Sequence, residues 1–259
     1  MLKKIKTFYK WVKIFNIKSF LIVYNSKKIK DEKKSIIFKM RNGIKLNIIP
    51  IEGDLTPLQE IFIKEDYRFN IKKKDDTNIL DIGANIGLFS IYAKLKSINA
   101  KVFSFEPFPR TYERLITHIK SNSITNVNTY QFAVGDKNGK VDFYSTEYSV
   151  GNTMMITSKL TDVHYKDGYI INKVDCINLT KLFEICGVSN FDLAKIDCEG
   201  CEYLIILNST AETICKISEY IIEVHQHNKY SYRDLTNKFK ELGFETTYNS
   251  PMLRATLKN

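Results

Sequence analysis

The 259-residue sequence has no uninterrupted apolar run long enough to cross a membrane. A spanning helix needs about 20 predominantly apolar residues, and Lys18 interrupts the candidate run in residues 1–24. The same region has no small-residue cleavage site of the kind that ends a signal peptide. We therefore expect neither a transmembrane span nor a secretory signal, and we expect a cytoplasmic protein.

A disulfide or zinc framework is also missing. The five cysteines are an odd number, and the Cys198-x-x-Cys201 spacing has no second cysteine pair to complete a zinc site. An odd count without a secretory signal is typical of a reducing compartment. We expect the cysteines to be free thiols with structural roles.

Acidic residues are nearly absent from residues 1–34. This segment carries eleven lysines against Asp31 and Glu32, so it holds +9 of the formal net charge of +10, and the rest of the chain holds about +1. An enzyme that acts on nucleic acid usually places positive charge around its site to neutralise phosphates. We therefore expect no nucleic-acid partner and treat residues 1–34 as a basic N-terminal arm.

The arm has apolar residues at helical spacing, which predicts one basic amphipathic helix over residues 1–24. The apolar positions are Ile5, Phe8, Trp11, Val12 and Phe15. Two interpretations are open. The helix packs on the domain or on a partner subunit of an oligomer, or it lies on an anionic inner membrane surface, where each lysine is worth roughly 1 kcal/mol.

Residues 78–90 read as a short apolar strand, a glycine-containing turn and the start of a helix. The dinucleotide fingerprint on such a scaffold is G-x-G-x-x-G. Here Asn85 stands where the second glycine belongs, and the last glycine comes one residue early. The pattern Asp81-x-Gly83-x-Asn85-x-Gly87 resembles the first motif of S-adenosylmethionine (SAM)-dependent methyltransferases. That resemblance implies four cofactor contacts, with Asp81 near the methionine end.

Two further strands extend this candidate cofactor site. The strand at residues 101–105 leads to Glu106, which is 19 residues beyond Gly87 and can accept hydrogen bonds from both ribose hydroxyls. Residues 126–134 are predicted as the third parallel strand, which closes where the adenine should lie. We therefore add Ala133, Val134 and Asp136 to the predicted cofactor contacts.

Five ionisable residues lie at the carboxyl ends of the fourth and fifth predicted strands, which span residues 191–197 and 220–225: Asp197, Glu199, Glu202, Glu223 and His225. In open α/β sheets, ligands bind at the carboxyl ends of the strands. So many ionisable groups beside apolar strands are costly unless they are solvated or used. For Glu199 and Glu202 a second interpretation is open, since acids in the first turn of a helix also favour its dipole.

On the basis of these residues, the sequence resembles the FkbM family of SAM-dependent O-methyltransferases. The resemblance covers about residues 40–245 and rests on four motifs, at residues 81–87, 105–107, 195–202 and 222–225. It implies methyl transfer to a hydroxyl of a sugar, glycan, glycolipid or polyketide. The turn after the fourth strand is not the Asp/Asn-Pro-Pro-aromatic turn expected of a nucleic-acid amino-methyltransferase.

Methyl transfer to a hydroxyl requires the protein to align the reactants and to remove the hydroxyl proton. The candidate catalytic residues are Asp197, Glu199, Glu223 and His225, and Asp197 is also a predicted cofactor contact. Two schemes are open: His225 or a carboxylate acts as the base, or Asp197, Glu223 and His225 hold a divalent metal. Two other functions also remain, a non-catalytic SAM-binding or scaffold protein and a nicotinamide-dependent oxidoreductase, which Asn85 disfavours.

The composition, 44% hydrophobic and 26% charged, fits one large α/β domain with an extension. We divide the chain into the arm (1–34), a cap (35–75) built from a hairpin at Asn42-Gly43 and a helix over residues 56–69, and a methyltransferase domain (76–259). The expected fold is Rossmann-like class I SAM methyltransferase, a mostly parallel seven-stranded sheet with helices on both faces and a terminal hairpin. Residues 146–168 are either an acceptor-binding lid or a passive insertion.

Overall fold

The computed structural model describes residues 2–24, 34–70, 76–145 and 170–258. The arm forms two helices, α1 (Leu2–Ile14) and α2 (Ile17–Tyr24), where the sequence predicts one. The helix breaks because Phe15 forms a β-bridge with Met40 and the Asn16 side chain accepts the backbone N–H of Ser19 at 2.9 Å, as an N-cap does. A new helix therefore starts at Ile17.

The cap begins with the predicted hairpin, in which β1 (Ile36–Lys39) pairs antiparallel with β2 (Lys45–Ile48). It continues with α3 (Leu55–Gln59), whose last turn widens into a π-helix at Glu60–Lys64. The predicted helix over residues 56–69 thus ends early, because Glu65 adopts a left-handed conformation with φ of 59°. Tyr67 and Phe69 therefore lie in a buried irregular segment.

The main sheet has seven strands: β3 (Asn78–Ile82), β4 (Lys101–Phe105), β5 (Val127–Tyr130), β9 (Leu193–Ile196), β10 (Glu219–Glu223), β11 (Phe244–Asn249) and β12 (Met252–Leu257). Their order in the sheet is β11-β12-β10-β9-β3-β4-β5, and only β12 runs antiparallel to its neighbours. This confirms the predicted class I SAM methyltransferase fold. The helices that follow the cap are α4 (Leu88–Lys96), α5 (Pro109–Ser121), α6 (Leu179–Cys186), α7 (Glu202–Asn208), α8 (Ala211–Cys215) and α9 (Tyr232–Glu241).

A second, three-stranded sheet corrects the prediction of one strand over residues 126–134. The strand β5 ends at Tyr130, and β6 (Ala133–Gly135) pairs instead with β8 (Ile170–Asn178), which also pairs with β7 (Gly139–Ser145). The chain thus leaves the main sheet before reaching Ala133. The predicted lid at residues 146–168 lies outside the described residues.

The two faces of the main sheet carry separate hydrophobic cores. One core joins the arm, the cap and α4, through residues such as Trp11, Phe15, Phe38, Phe62 and Phe89. The other joins the sheet to α6, α7, α8 and α9. Among the described residues, no helix combines the length and apolar character needed to span a membrane.

Candidate active site

A cleft lies at the carboxyl ends of the parallel strands and has a volume of about 190 Å³. The structure brings both predicted groups of residues into it. The predicted residues that line the cleft are Gly83, Asn85, Glu106, Ala133, Val134, Asp197, Glu199, Glu223 and His225. One cleft therefore joins the candidate cofactor contacts to the candidate catalytic residues.

The glycine-containing turn brings β3 close to its neighbours. A Cβ on Gly83, where φ is 72°, would lie 1.8 Å from the carbonyl oxygen of Asp197, so only glycine lets the two strand ends meet. Gly87 has a φ of 85° and packs on Leu115, and it does not line the cleft. Its place in the motif is explained by close packing at the start of α4.

Glu106 lies at the edge of the cleft and is 7% exposed. Its two carboxylate oxygens accept the backbone N–H groups of Asn85 at 2.9 Å and Phe108 at 3.0 Å. Burial raises the pKa of Glu106 to about 7. Beside it, the buried hydroxyl of Thr111 has no hydrogen-bond partner among the described residues, although it lines the cleft. Both groups present hydrogen-bonding capacity to a ligand.

Besides Gly87, two predicted cofactor contacts, Asp81 and Asp136, lie outside the cleft lining. Asp81 is fully buried and accepts a hydrogen bond from the Ser90 hydroxyl at 2.6 Å. Burial raises its pKa. Asp136 lines a neighbouring groove together with Lys137 and Lys140. Neither Asp81 nor Asp136 therefore lines the main cleft.

Lys195 holds the base of the cleft together. Its side chain is 3% exposed, and its Nζ donates to the carbonyl oxygen of Gly83 at 2.6 Å. The same Nζ lies 3.4 Å from carboxylate oxygens of both Asp81 and Asp197. Burial alone would lower the pKa of Lys195, but the two carboxylates outweigh it and raise the pKa. This buried cation therefore holds together two strand ends. They are the end of β3, which leads into the glycine-containing turn (residues 83–87), and the end of β9, which leads into the acidic turn (residues 197–202).

Tyr67 of the cap reaches the acidic cluster from the opposite side. Its hydroxyl lies 3.1 Å from Asp197 Oδ2 and forms a short contact with Glu223 Oε2. Burial, followed by the charges of these carboxylates, raises the pKa of Tyr67 well above its ordinary value. The phenol therefore stays protonated and holds the two carboxylates side by side.

His225 is surrounded by carboxylates. Its ring nitrogens lie 3.4 Å from Glu202, 3.5 Å from Glu199 and 3.8 Å from Asp197. Burial alone would lower the pKa of His225, but the hydrogen bond and charge of Glu202, with the charges of Glu199 and Asp197, raise it to about 10. At neutral pH the ring is therefore an imidazolium, which donates protons and accepts none.

The two glutamates of the acidic turn have different surroundings. Glu202 is fully buried and accepts the backbone N–H groups of Gly200 at 2.9 Å and His225 at 2.7 Å. Glu199 lines the cleft, with a φ of 53° and a side chain 39% exposed. Burial raises the pKa of Glu199 to about 7. Glu202 therefore orders the turn, while Glu199 faces the cleft.

The pKa values of the other two carboxyl groups shift in opposite directions. Burial alone would raise the pKa of Asp197, but Lys195 and His225 outweigh it and hold the pKa below its usual value. Burial and the charge of Asp197 raise the pKa of Glu223. Within the described residues, no three histidine, cysteine, aspartate or glutamate side chains form a group able to hold a metal ion.

Several cleft residues were not predicted from the sequence. The cap supplies Thr56, Pro57 and Glu60 to the lining. A lysine inside an otherwise apolar strand could have indicated Lys195, because a buried charge requires partners. No sequence signal indicates Tyr67, which lies 130 residues from Asp197 and 156 from Glu223.

Comparison with known proteins identifies the domain type. The model of the methyltransferase FkbM domain matches residues 81–246, which is more than half of the chain. Among similar proteins, the AMB antimetabolite synthetase AmbE of Pseudomonas aeruginosa is 28% identical over 197 residues, covering 64% of this chain but only 9% of that protein.

Two other relatives are comparable in identity. The 31-O-demethyl-FK506 methyltransferase FkbM of Streptomyces tacrolimicus is 25% identical over 190 residues, covering 64% of this chain and 73% of its own length. The hexuronic acid methyltransferase AglP of Haloferax volcanii is 26% identical over 152 residues, covering 59% of this chain and 57% of its own length.

Proposed function

The chain belongs to the FkbM methyltransferase family, and on that premise we propose that it is a SAM-dependent O-methyltransferase. The proposed acceptor is a hydroxyl group of a sugar, glycan or glycolipid. The observation that carries the proposal is the single cleft that joins the Gly83 turn and Glu106 to Asp197, Glu199 and His225.

The residues of the cleft fit SAM, which supplies a methyl group on a positively charged sulfur. Glu106 is placed to accept hydrogen bonds from a ribose, and the unpartnered Thr111 hydroxyl offers a further polar contact. Carboxylates dominate the charged part of the lining, so a cationic cofactor is electrostatically favoured there. Ala133, Val134 and Phe132 provide apolar surface for a base.

Glu199 is the proposed general base. A base works best when its pKa lies near the operating pH, and the pKa of Glu199 is about 7. The imidazolium of His225, 3.5 Å away, favours the ionised carboxylate. Asp197 stays ionised and faces the same cleft, where its charge favours a cation. His225 therefore holds Glu199 in position and favours its ionised form, and it does not itself act as the base.

The acceptor is proposed to enter beside the cap, where Thr56, Pro57 and Glu60 line the cleft. The names of two relatives refer to an O-methyl group and to hexuronic acid, which supports a hydroxyl acceptor of the carbohydrate class. None of the described residues that line this cleft is lysine or arginine. We therefore propose a neutral or amino sugar over a sugar that carries a carboxylate.

Methyl transfer from isotopically labelled SAM to a panel of neutral, amino and uronic-acid glycosides tests this proposal. Turnover of a hydroxyl acceptor, with product hydrolysis showing an oxygen-linked methyl group, would support it. SAM binding without turnover of any carbohydrate would favour the non-catalytic alternative. A thermal shift with NAD and none with SAM would favour the oxidoreductase.

A further inference from the structure

The arm presents two different apolar faces. Trp11, Phe15 and Ser19 follow one another at intervals of four residues and are at most 2% exposed, so this face packs into the core. The sequence assigned Phe8, Trp11 and Phe15 to a single stripe, and in the structure Trp11 and Phe15 are buried, whereas Phe8, nearer the start of α1, is 42% exposed.

The arm also has large apolar side chains that are about half exposed. We define the arm face as Phe8, Tyr9, Ile17 and Leu21, of which Tyr9 is 65% exposed and the two α2 residues are each 50% exposed. The ring of Phe8 lies 4.7 Å from that of Phe20, which links α1 to α2. Single exposed apolar residues are ordinary on protein surfaces, but a cluster marks an interaction site.

The charge of the arm indicates what the partner is. Residues 2–24 contain six lysines and no acidic residue. Lys13 and Lys18 are exposed, whereas Lys10 pairs with Glu65 of the cap at 3.0 Å. A partner must therefore bury apolar side chains and also carry negative charge over a broad surface.

We propose that the arm face docks on a lipid membrane that contains anionic headgroups. Exposed aromatic and aliphatic side chains insert at the boundary between headgroups and acyl chains, while neighbouring lysines bind the anionic lipids. The buried face, anchored by Trp11 and Phe15, holds the two helices on the cap. The membrane contact is thereby tied to the element that lines the cleft with Thr56, Pro57 and Glu60.

Cosedimentation of the full chain with vesicles tests this inference. We expect binding to vesicles of phosphatidylglycerol and phosphatidylcholine, little binding to phosphatidylcholine alone, and weaker binding as salt increases. The double variant Ile17→Ser/Leu21→Ser should reduce the partition coefficient at least about tenfold, since each loses buried apolar area. Its control is Ile98→Ser, because Ile98 is 75% exposed outside the arm.

A second pair of variants tests the contribution of the lysines, with one variant in the arm and its control outside the arm. Lys13→Glu/Lys18→Glu should reduce binding to anionic vesicles by about tenfold or more, whereas Lys120→Glu/Lys240→Glu changes the net charge equally at exposed sites outside the arm and should bind nearly as the wild type does. Unchanged melting curves would show that all variants fold.

Three results would overturn the inference. The first is a wild-type chain that stays in the supernatant with anionic vesicles at low salt. The second is an arm-face variant that binds as tightly as Ile98→Ser, and the third concerns self-association. A concentration-dependent oligomer that is lost in Ile17→Ser/Leu21→Ser, without vesicle binding, would assign the face to a second copy and would also reject the membrane. None of these readouts depends on methyl transfer.

Discussion

The hydroxyl of Tyr67 lies 3.1 Å from a carboxylate oxygen of Asp197 and also contacts Glu223, which ties the cap to the ends of two strands of the main sheet. The ring of the same residue packs 5.9 Å from Phe89 at the start of α4 and lies over Lys195 Nζ. One residue of the cap thus contacts the groups that fix both halves of the cleft. Its removal should therefore affect the reaction even though it lies far away in sequence.

Replacing Tyr67 by phenylalanine keeps the ring and removes the hydroxyl. A hydrogen bond to a charged group is worth about 1.5–3 kcal/mol, so we expect kcat to fall by roughly 10- to 100-fold while SAM affinity changes little. Steady-state kinetics and calorimetry measure the two quantities. The matched control is Tyr92→Phe, because the buried Tyr92 hydroxyl has no hydrogen-bond partner among the described residues. Equal kcat values for the two variants would show that the Tyr67 hydroxyl does not contribute to the reaction.

Glu106→Ala should weaken SAM binding by about 1.5–3 kcal/mol, as expected for lost charge-assisted hydrogen bonds. The pKa of Glu106 is about 7 in the free protein, and only its ionised form accepts two ribose hydroxyls. SAM affinity of the wild type should therefore fall as pH drops below about 7, and that dependence should vanish in the variant. Titration calorimetry at several pH values measures both effects, with Glu113→Ala, an exposed acid on α5, as the control.

Glu199→Gln should lower turnover by about 100- to 10,000-fold, the usual contribution of a general base, and leave SAM affinity intact. In the wild type, kcat/KM should rise with pH through about 7, as this carboxyl loses its proton. If Glu223→Gln abolishes turnover while Glu199→Gln retains it, the base is Glu223. Loss of activity with a chelator and rescue by magnesium or manganese would instead favour a metal on Asp197, Glu223 and His225.

His225→Gln should shift the pH profile and not abolish activity. Removing a positive charge 3.5 Å from Glu199 raises the pKa of that carboxyl, so the rise of kcat/KM should move to higher pH. In the wild type, nitrogen NMR should detect an imidazolium at neutral pH, because the pKa of His225 is about 10. The folded pKa lies above the unfolded value, so this residue stabilises the fold below about pH 6.5, and the contribution is lost as pH rises through about 10. Complete inactivity of His225→Gln at every pH would indicate that His225, and not Glu199, is the base.

Arg114 joins the cap to α5 through two buried acids. It pairs with Glu52 at 2.6 Å and also contacts Asp54, and both acids are 1% exposed. Arg114→Met removes the arginine partner of Asp54 and one of the two arginine partners of Glu52, and it should cost about 3–5 kcal/mol of unfolding free energy, measured by urea denaturation. Arg110→Met removes a pair on a side chain that is 53% exposed and should cost less. Similar losses in the two variants would contradict a central role for Arg114.

Local pattern was enough to predict most of the architecture. Alternating strand and helix signals with short connections specify a parallel sheet, and the turn at Gly83 marks its ligand edge. Acids that directly follow strands, such as Glu106 and Asp197, had to meet there because parallel strands end at the same edge. The terminal hairpin was equally readable, because its turn and strands are adjacent in sequence.

Charge states and cross-chain partners were decided only by the tertiary structure. From the sequence alone, His225 would be assigned the ordinary pKa of a histidine. In the folded protein, the carboxylates of Asp197, Glu199 and Glu202 raise that pKa to about 10, so the ring is a cation at neutral pH. Tyr67 entered the site because Glu65 ends a helix early, and Ala133 lies outside the main sheet because β6 pairs with β8. The faces of the arm were divided by the cap, which covers Trp11 and leaves Tyr9 exposed. Each of these outcomes depends on groups far apart in the chain, whose desolvation and mutual charge interactions exist only once the chain has folded.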